Sequence, residues 1–160
     1  MEIPLIEQVK IQARALVPVI RAMQAEFGEE RANALIRKAI GEQYRKLGEA
    51  WWRAQRGEAP ADKLASSFER FAAGGALDYD VVRSDADAFD VNVTGCRYAQ
   101  FYHQLGVPEL GFLLVCSVDF LMTEGFGAGV ELTRTQTIMQ GASHCDFRYQ
   151  LARRARDPGT

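Results

Sequence analysis

Three stretches of the chain carry side chains able to do chemistry. The first, 141-GASHCDFRYQLARR-154, sets Ser143, His144, Cys145, Asp146 and Arg148 almost side by side. A histidine moves protons near neutrality, a thiol attacks electrophilic carbon, and the planar fork of an arginine matches a carboxylate. The second is Cys96 in 94-TGCRYAQ-100, where a strand pattern gives way to a helical one. Unpaired N–H groups and the positive end of the helix dipole should face its sulfur, and Arg97 adds a cation, so the position predicts a thiol of lowered pKa. The plainer alternative is a small buried hydrophobe at a helix start. The third is Cys116 with Asp119, three residues apart in 109-ELGFLLVCSVDFLMTEG-125 and therefore on one side of a helix. An acid among so many apolar residues either faces solvent or has a buried partner.

Strand alternation splits the first stretch. Cys145, Phe147, Tyr149 and Leu151 point one way, His144, Asp146, Arg148 and Gln150 the other. An undistorted strand therefore does not pair His144 with Cys145, although a distortion at the strand start would. Cys96, Cys116 and Cys145 are the chain's three cysteines. Their odd number and wide spacing fit free thiols better than a disulfide framework. No C-x-x-C pair marks a zinc site, so no cofactor is expected, with zinc held by converging thiolates and His144 or Asp119 as the alternative. The glycines of 124-EGFGAGVE-131 fall between a helix and a strand, the wrong order for a phosphate cradle.

The elements that must position these residues follow from periodicity. Apolar residues from Leu5 to Phe27 recur at spacings of three and four, with Pro18 predicting a kink and Gly28 a stop. A second helix is predicted from Glu29 to Gln55 and a third from Asp62 to Ala73, ended by Gly74 and Gly75. The period then changes to two: 77-LDYDVVR-83 and 88-AFDVNVT-94 predict a hairpin turning through residues 84–87. Helices over Arg97 to Leu105 and Pro108 to Glu124 come next, then strands 130-VELTRTQT-137 and 145-CDFRYQL-151. Three helices followed by β-β-α-α-β-β predict an α+β fold, an antiparallel sheet of about four strands with helices on one face. The stretch from Arg153 to Thr160 reads as a frayed polar tail.

At 160 residues, 48% apolar and 25% charged, the chain has the size of one globular domain spanning residues 1–160. A net charge of −2 with the signs interspersed leaves no basic stripe for a nucleic acid. Glu2, Glu7, Lys10, Arg14 and Arg21 interrupt the apolar N-terminus, which excludes a secretory or membrane-spanning segment there, and a cytoplasmic protein is the expectation. Trp51 and Trp52 are adjacent on a helix, so one of them is expected to be exposed for an oligomer or partner contact.

The quoted motifs together resemble the L-2-amino-thiazoline-4-carboxylic acid hydrolase family: 96-CRYAQFYHQLGVPELG-111, CSVDF at 116–120, ELTRTQTIMQG at 131–141 and HCDFR at 144–148. One departure is Gln140, where the family pattern suggests an acid before Gly141. The resemblance implies a small hydrolase that opens a cyclic isothiourea, giving N-carbamoyl-cysteine from the aminothiazoline carboxylate. In that reading Cys96 thiolate, or a water, adds to the ring carbon between nitrogen and sulfur, and Asp119 holds the protonated amidine. His144 transfers protons, Arg148 clamps the substrate carboxylate with Asp146 and Thr135 nearby, and Cys116 or Cys145 lines the site or replaces Cys96. The competing reading is a non-catalytic small-molecule or zinc-binding module on the same scaffold.

Overall fold

The computed structural model describes residues 2–152, so the expected polar tail lies outside the described residues. Helices α1 (Leu5–Phe27), α2 (Glu29–Ala54) and α3 (Pro60–Ala72) form the first half. α1 continues through Pro18, Gly28 at φ 82° separates it from α2, and Pro60 starts α3 where its missing N–H costs nothing. A hairpin of β1 (Leu77–Ser84) and β2 (Ala88–Cys96) leads into α4 (Arg97–Gln104), α5 (Pro108–Gly111) and α6 (Val118–Phe126). β3 (Val130–Thr133) and β4 (Cys145–Leu151) follow.

Among the described residues four strands make one antiparallel sheet in the order β1-β2-β4-β3. The fold is α+β, with the alternation as expected: Phe89, Val91 and Val93 of β2 stand opposite Tyr149, Phe147 and Cys145 of β4 and face the helices. Against them pack Leu64 and Phe68 of α3 and Met122 and Phe126 of α6. A second apolar cluster joins Ile6, Val9, Ala13 and Ile20 of α1 to Tyr98 and Tyr102 of α4 and to Leu110, Leu113 and Leu114.

Three expectations are corrected here. The helix expected from Pro108 to Glu124 is interrupted: Phe112–Cys116 is a π-helical turn, in which Ser117 N–H donates to Phe112 O at 2.8 Å. Such a turn re-aims the side chains on either side of it and recurs at functional sites. The strand expected over 130–137 ends at Thr133, because the Asp146 carboxylate accepts the Thr135 and Gln136 N–H groups, each at 2.9 Å, that a ladder would have used. Finally, neither tryptophan is fully exposed, and both are half-buried. Trp52 stacks on Phe126 at 4.7 Å between ring centres and Trp51 reaches the same ring at 5.8 Å, so the two indoles straddle one side chain.

Candidate functional site

The helical half and the sheet do not close on each other completely. Between the two apolar clusters lies a cavity of about 320 Å³, within the range of small-molecule sites. Its exposed lining residues, Gln12 of α1, Leu47 of α2 and Arg70 of α3, mark the rim, and the buried Thr137, Cys145, Phe147 and Tyr149 mark the floor. Cys96, Cys116, Cys145 and Asp119 all line it.

Each thiol is delivered by a different local device. Cys96 ends β2 and caps α4, its Sγ accepting the Ala99 N–H at 3.4 Å. Cys145 opens β4 and accepts the Ile138 N–H at 3.2 Å. Cys116 closes the π-helical turn, one residue before Ser117, whose hydroxyl donates to Leu113 O at 2.6 Å. The expectation of a thiol lowered by the helix start is corrected. Burial pushes Cys96 up to about 11, although the backbone N–H groups of Ala99 and Tyr98 work against it. Burial also raises Cys145 and, more strongly, Cys116. Desolvation of a thiolate therefore outweighs two N–H donors here, and the resting thiols are protonated at neutral pH.

Asp119 has the buried partner that its apolar helix required. Arg134 Nη1 donates to Asp119 Oδ2 at 2.6 Å and Arg134 Nη2 to Cys116 O at 3.0 Å. The guanidinium, on a side chain only 3% exposed, lies 4.9 Å from the Phe120 ring centre and 5.2 Å from that of Phe147. Asp119 keeps 26% of its side-chain surface accessible, as a group opening onto an internal hollow does. Burial raises its carboxyl to about 6 even though the charge and hydrogen bond of Arg134 pull it down.

The remaining candidates are not brought to the cavity. Asp146 and Arg148 lie on the other face of β4; His144, just before that strand, sits among Ser143 Oγ, which is 3.0 Å from its Nδ1, and the Gln136 side chain. Arg148 on that face donates to Val91 O at 3.1 Å, Phe147 O at 2.8 Å and Asn92 Oδ1 at 2.8 Å. Asp146 and Thr135 bond each other. Burial works to raise the Asp146 carboxyl, but the donors from Thr135 and Gln136 hold it below its usual value. Alternation along β4 turns Asp146 and Arg148 away from Cys145, while His144 and Thr135 lie outside the strands. Arg134 was missed, yet its signal was legible: it continues the inward phase of Val130 and Leu132, an arginine where a core residue belongs. Among the described residues no group of three or more His, Cys, Asp or Glu side chains is placed to hold a metal ion.

The family model for L-2-amino-thiazoline-4-carboxylic acid hydrolase matches residues 8–149. The chain belongs to that family. The match takes in α1 to α3 as well as the motif-bearing half, so the helices that roof the cavity are part of the family's fold. No curated protein matches the chain. Among solved structures, the phenol-responsive sensory domain of the transcription activator PoxR with phenol aligns at a TM-score of 0.55, with 10% identity, over 86% of this chain and 73% of that one. At that identity the likeness is one of fold. Among the described residues no helix is long and apolar enough to cross a membrane.

Proposed function

We propose that this chain opens a small cyclic isothiourea carrying a carboxylate, with Cys96 as nucleophile and Asp119 as base. The observation that carries the reading is that an acid held near neutrality shares one small cavity with Cys96, Cys116 and Cys145. A carboxylate of pKa about 6 is matched to accepting a proton at neutral pH, the task the sequence had assigned to His144. The Cys96 thiol adds to the ring carbon between nitrogen and sulfur as its proton passes to Asp119. The carbon–sulfur bond of the ring breaks, and the departing sulfur takes that proton to become a thiol. Water then adds to the carbon bound to Cys96, and the Cys96 thiol is released with a carbamoyl product. Overall one water is consumed and no electron changes hands.

The substrate carboxylate needs a cation other than Arg148. Arg134 has both terminal nitrogens committed to Asp119 and Cys116 O, whereas Arg70 at the rim has only a contact to Glu2 at 3.5 Å. Arg70 is therefore the residue assigned to the carboxylate. The test is incubation with 2-amino-thiazoline-4-carboxylate, following the carbamoyl product by mass spectrometry. Turnover lost in both Cys96→Ser and Asp119→Asn is the expected result, and full turnover in Cys96→Ser removes the covalent step.

A second reading is a binding module that holds a small ligand without converting it. It is favoured by the mainly apolar and aromatic lining and by thiols that burial keeps protonated, and the sensory domain sharing the fold was solved with phenol. Saturable binding of the ring compound with no product would select it.

A further inference from the structure

The helical first half carried no chemistry in the sequence, yet α2 runs against the acid's own helix. Gly41, Tyr44 and Gly48 recur at i, i+3 and i+7, along one side of α2. A methyl group at Gly48 would lie 2.2 Å from Met122 O, one at Gly41 2.6 Å from Leu121 Cδ1, and one at Gly125 of α6 2.1 Å from Arg45 O. At Gly48 and Gly125 the two helices therefore touch backbone to backbone, an approach that a side chain at either position would block. It carries the Tyr44 ring into the cavity wall, within electrostatic reach of Asp119.

Two phenols of the same wall have partners for their hydroxyls. Tyr98 donates to Phe71 O at 2.9 Å, and Tyr149 is bonded to Thr123. The Tyr44 hydroxyl makes no hydrogen bond to any described residue. Tyr44 is half-buried and its hydroxyl is not sealed off, so the donor is open to a ligand. Here the open position borders the hollow that Asp119 lines.

We propose that Tyr44 is a ligand-contacting hydrogen-bond donor: its hydroxyl donates to the ring sulfur of the bound cyclic isothiourea and keeps that bond as the carbon–sulfur bond breaks. The identity of the ligand rests on the hydrolase reading above; the presence of a donor there does not.

The test uses the full chain and Tyr44→Phe, which keeps the packed ring, with 2-amino-thiazoline-4-carboxylate as probe in calorimetric titration and in turnover. Y44F is expected to melt with the wild type, to bind the probe about threefold more weakly and to lose roughly tenfold to a hundredfold in kcat. The loss should be greater on the ring in which oxygen replaces sulfur, since a departing alkoxide is the stronger acceptor; a merely structural tyrosine would affect both rings alike. Wild-type affinity and kcat in Y44F, or equal losses on the two rings, overturn the proposal. Binding without turnover in the wild type sinks the hydrolase reading alone, and Y44F affinity then decides Tyr44: weaker binding supports it, equal binding removes it. A wild type that binds neither ring overturns both.

Discussion

Arg134 Nη1 meets Asp119 Oδ2 at 2.6 Å on the wall of the cavity, with Phe120 and Phe147 against the guanidinium. The pair is costly to separate, because the surviving charge keeps its desolvation penalty without its counter-ion. Arg134→Met should destabilise the fold by about 3 kcal/mol, the lower end of the range for buried pairs, since Asp119 opens onto the hollow. Urea denaturation of the variant measures it.

The same pair sets a pH dependence. Asp119 acts as base only when ionised, so turnover should rise with pH through about 6. In Arg134→Met both influences that lower its pKa are gone, and the rising limb should move to higher pH. A pH–rate profile of the two proteins reads the shift, and an unmoved limb in the variant would rule out Asp119 as the titrating base.

Stability should run the other way. Between the ordinary value of 3.8 and about 6, the unfolded chain has released the Asp119 proton while the folded chain still holds it. Its contribution is fully present below 3.8 and is lost as pH rises through about 6. Thermal melts across this window should show a decline that Asp119→Asn lacks.

Thiol reactivity follows from burial. At pH 7 the free protein should alkylate at Cys96 far more slowly than an open thiol, with a rate that climbs as pH approaches about 11. Peptide mass spectrometry after timed iodoacetamide treatment would show this. Rapid alkylation at neutral pH would mean that the helix start wins over desolvation after all.

Residues that do not line the cavity make the contrast. Arg148→Met removes three hydrogen bonds, two of which tie β4 to β2, and should cost stability, about 1–3 kcal/mol. Its kcat should stay within about twofold of wild type, as should that of His144→Ala, effects on turnover too small to mark a group acting in the transition state.

How much of this could be read in advance depends on the range of the interaction. Alternation along β4 separated Cys145 from Asp146 and Arg148, and the helical stripes placed α1 to α3, because strand and helix periods are local properties of consecutive residues. The motifs also carried the family. The inward phase of Arg134 after β3 was a local signal too, of a charge on the core side.

What the chain order could not fix was decided by contacts across it. Whether Cys96 is an anion depended on how much water the packed helices left around its sulfur, a quantity no local pattern encodes. Arg134 found Asp119 and Tyr44 came to the same hollow because β3 leads out of α6 and two glycines, Gly48 and Gly125, let α2 lie against it. Sequence spacing assigned each side chain a face; the docking of helices and sheet determined which faces enclose a cavity, since burial and charge pairing arise only once distant segments pack.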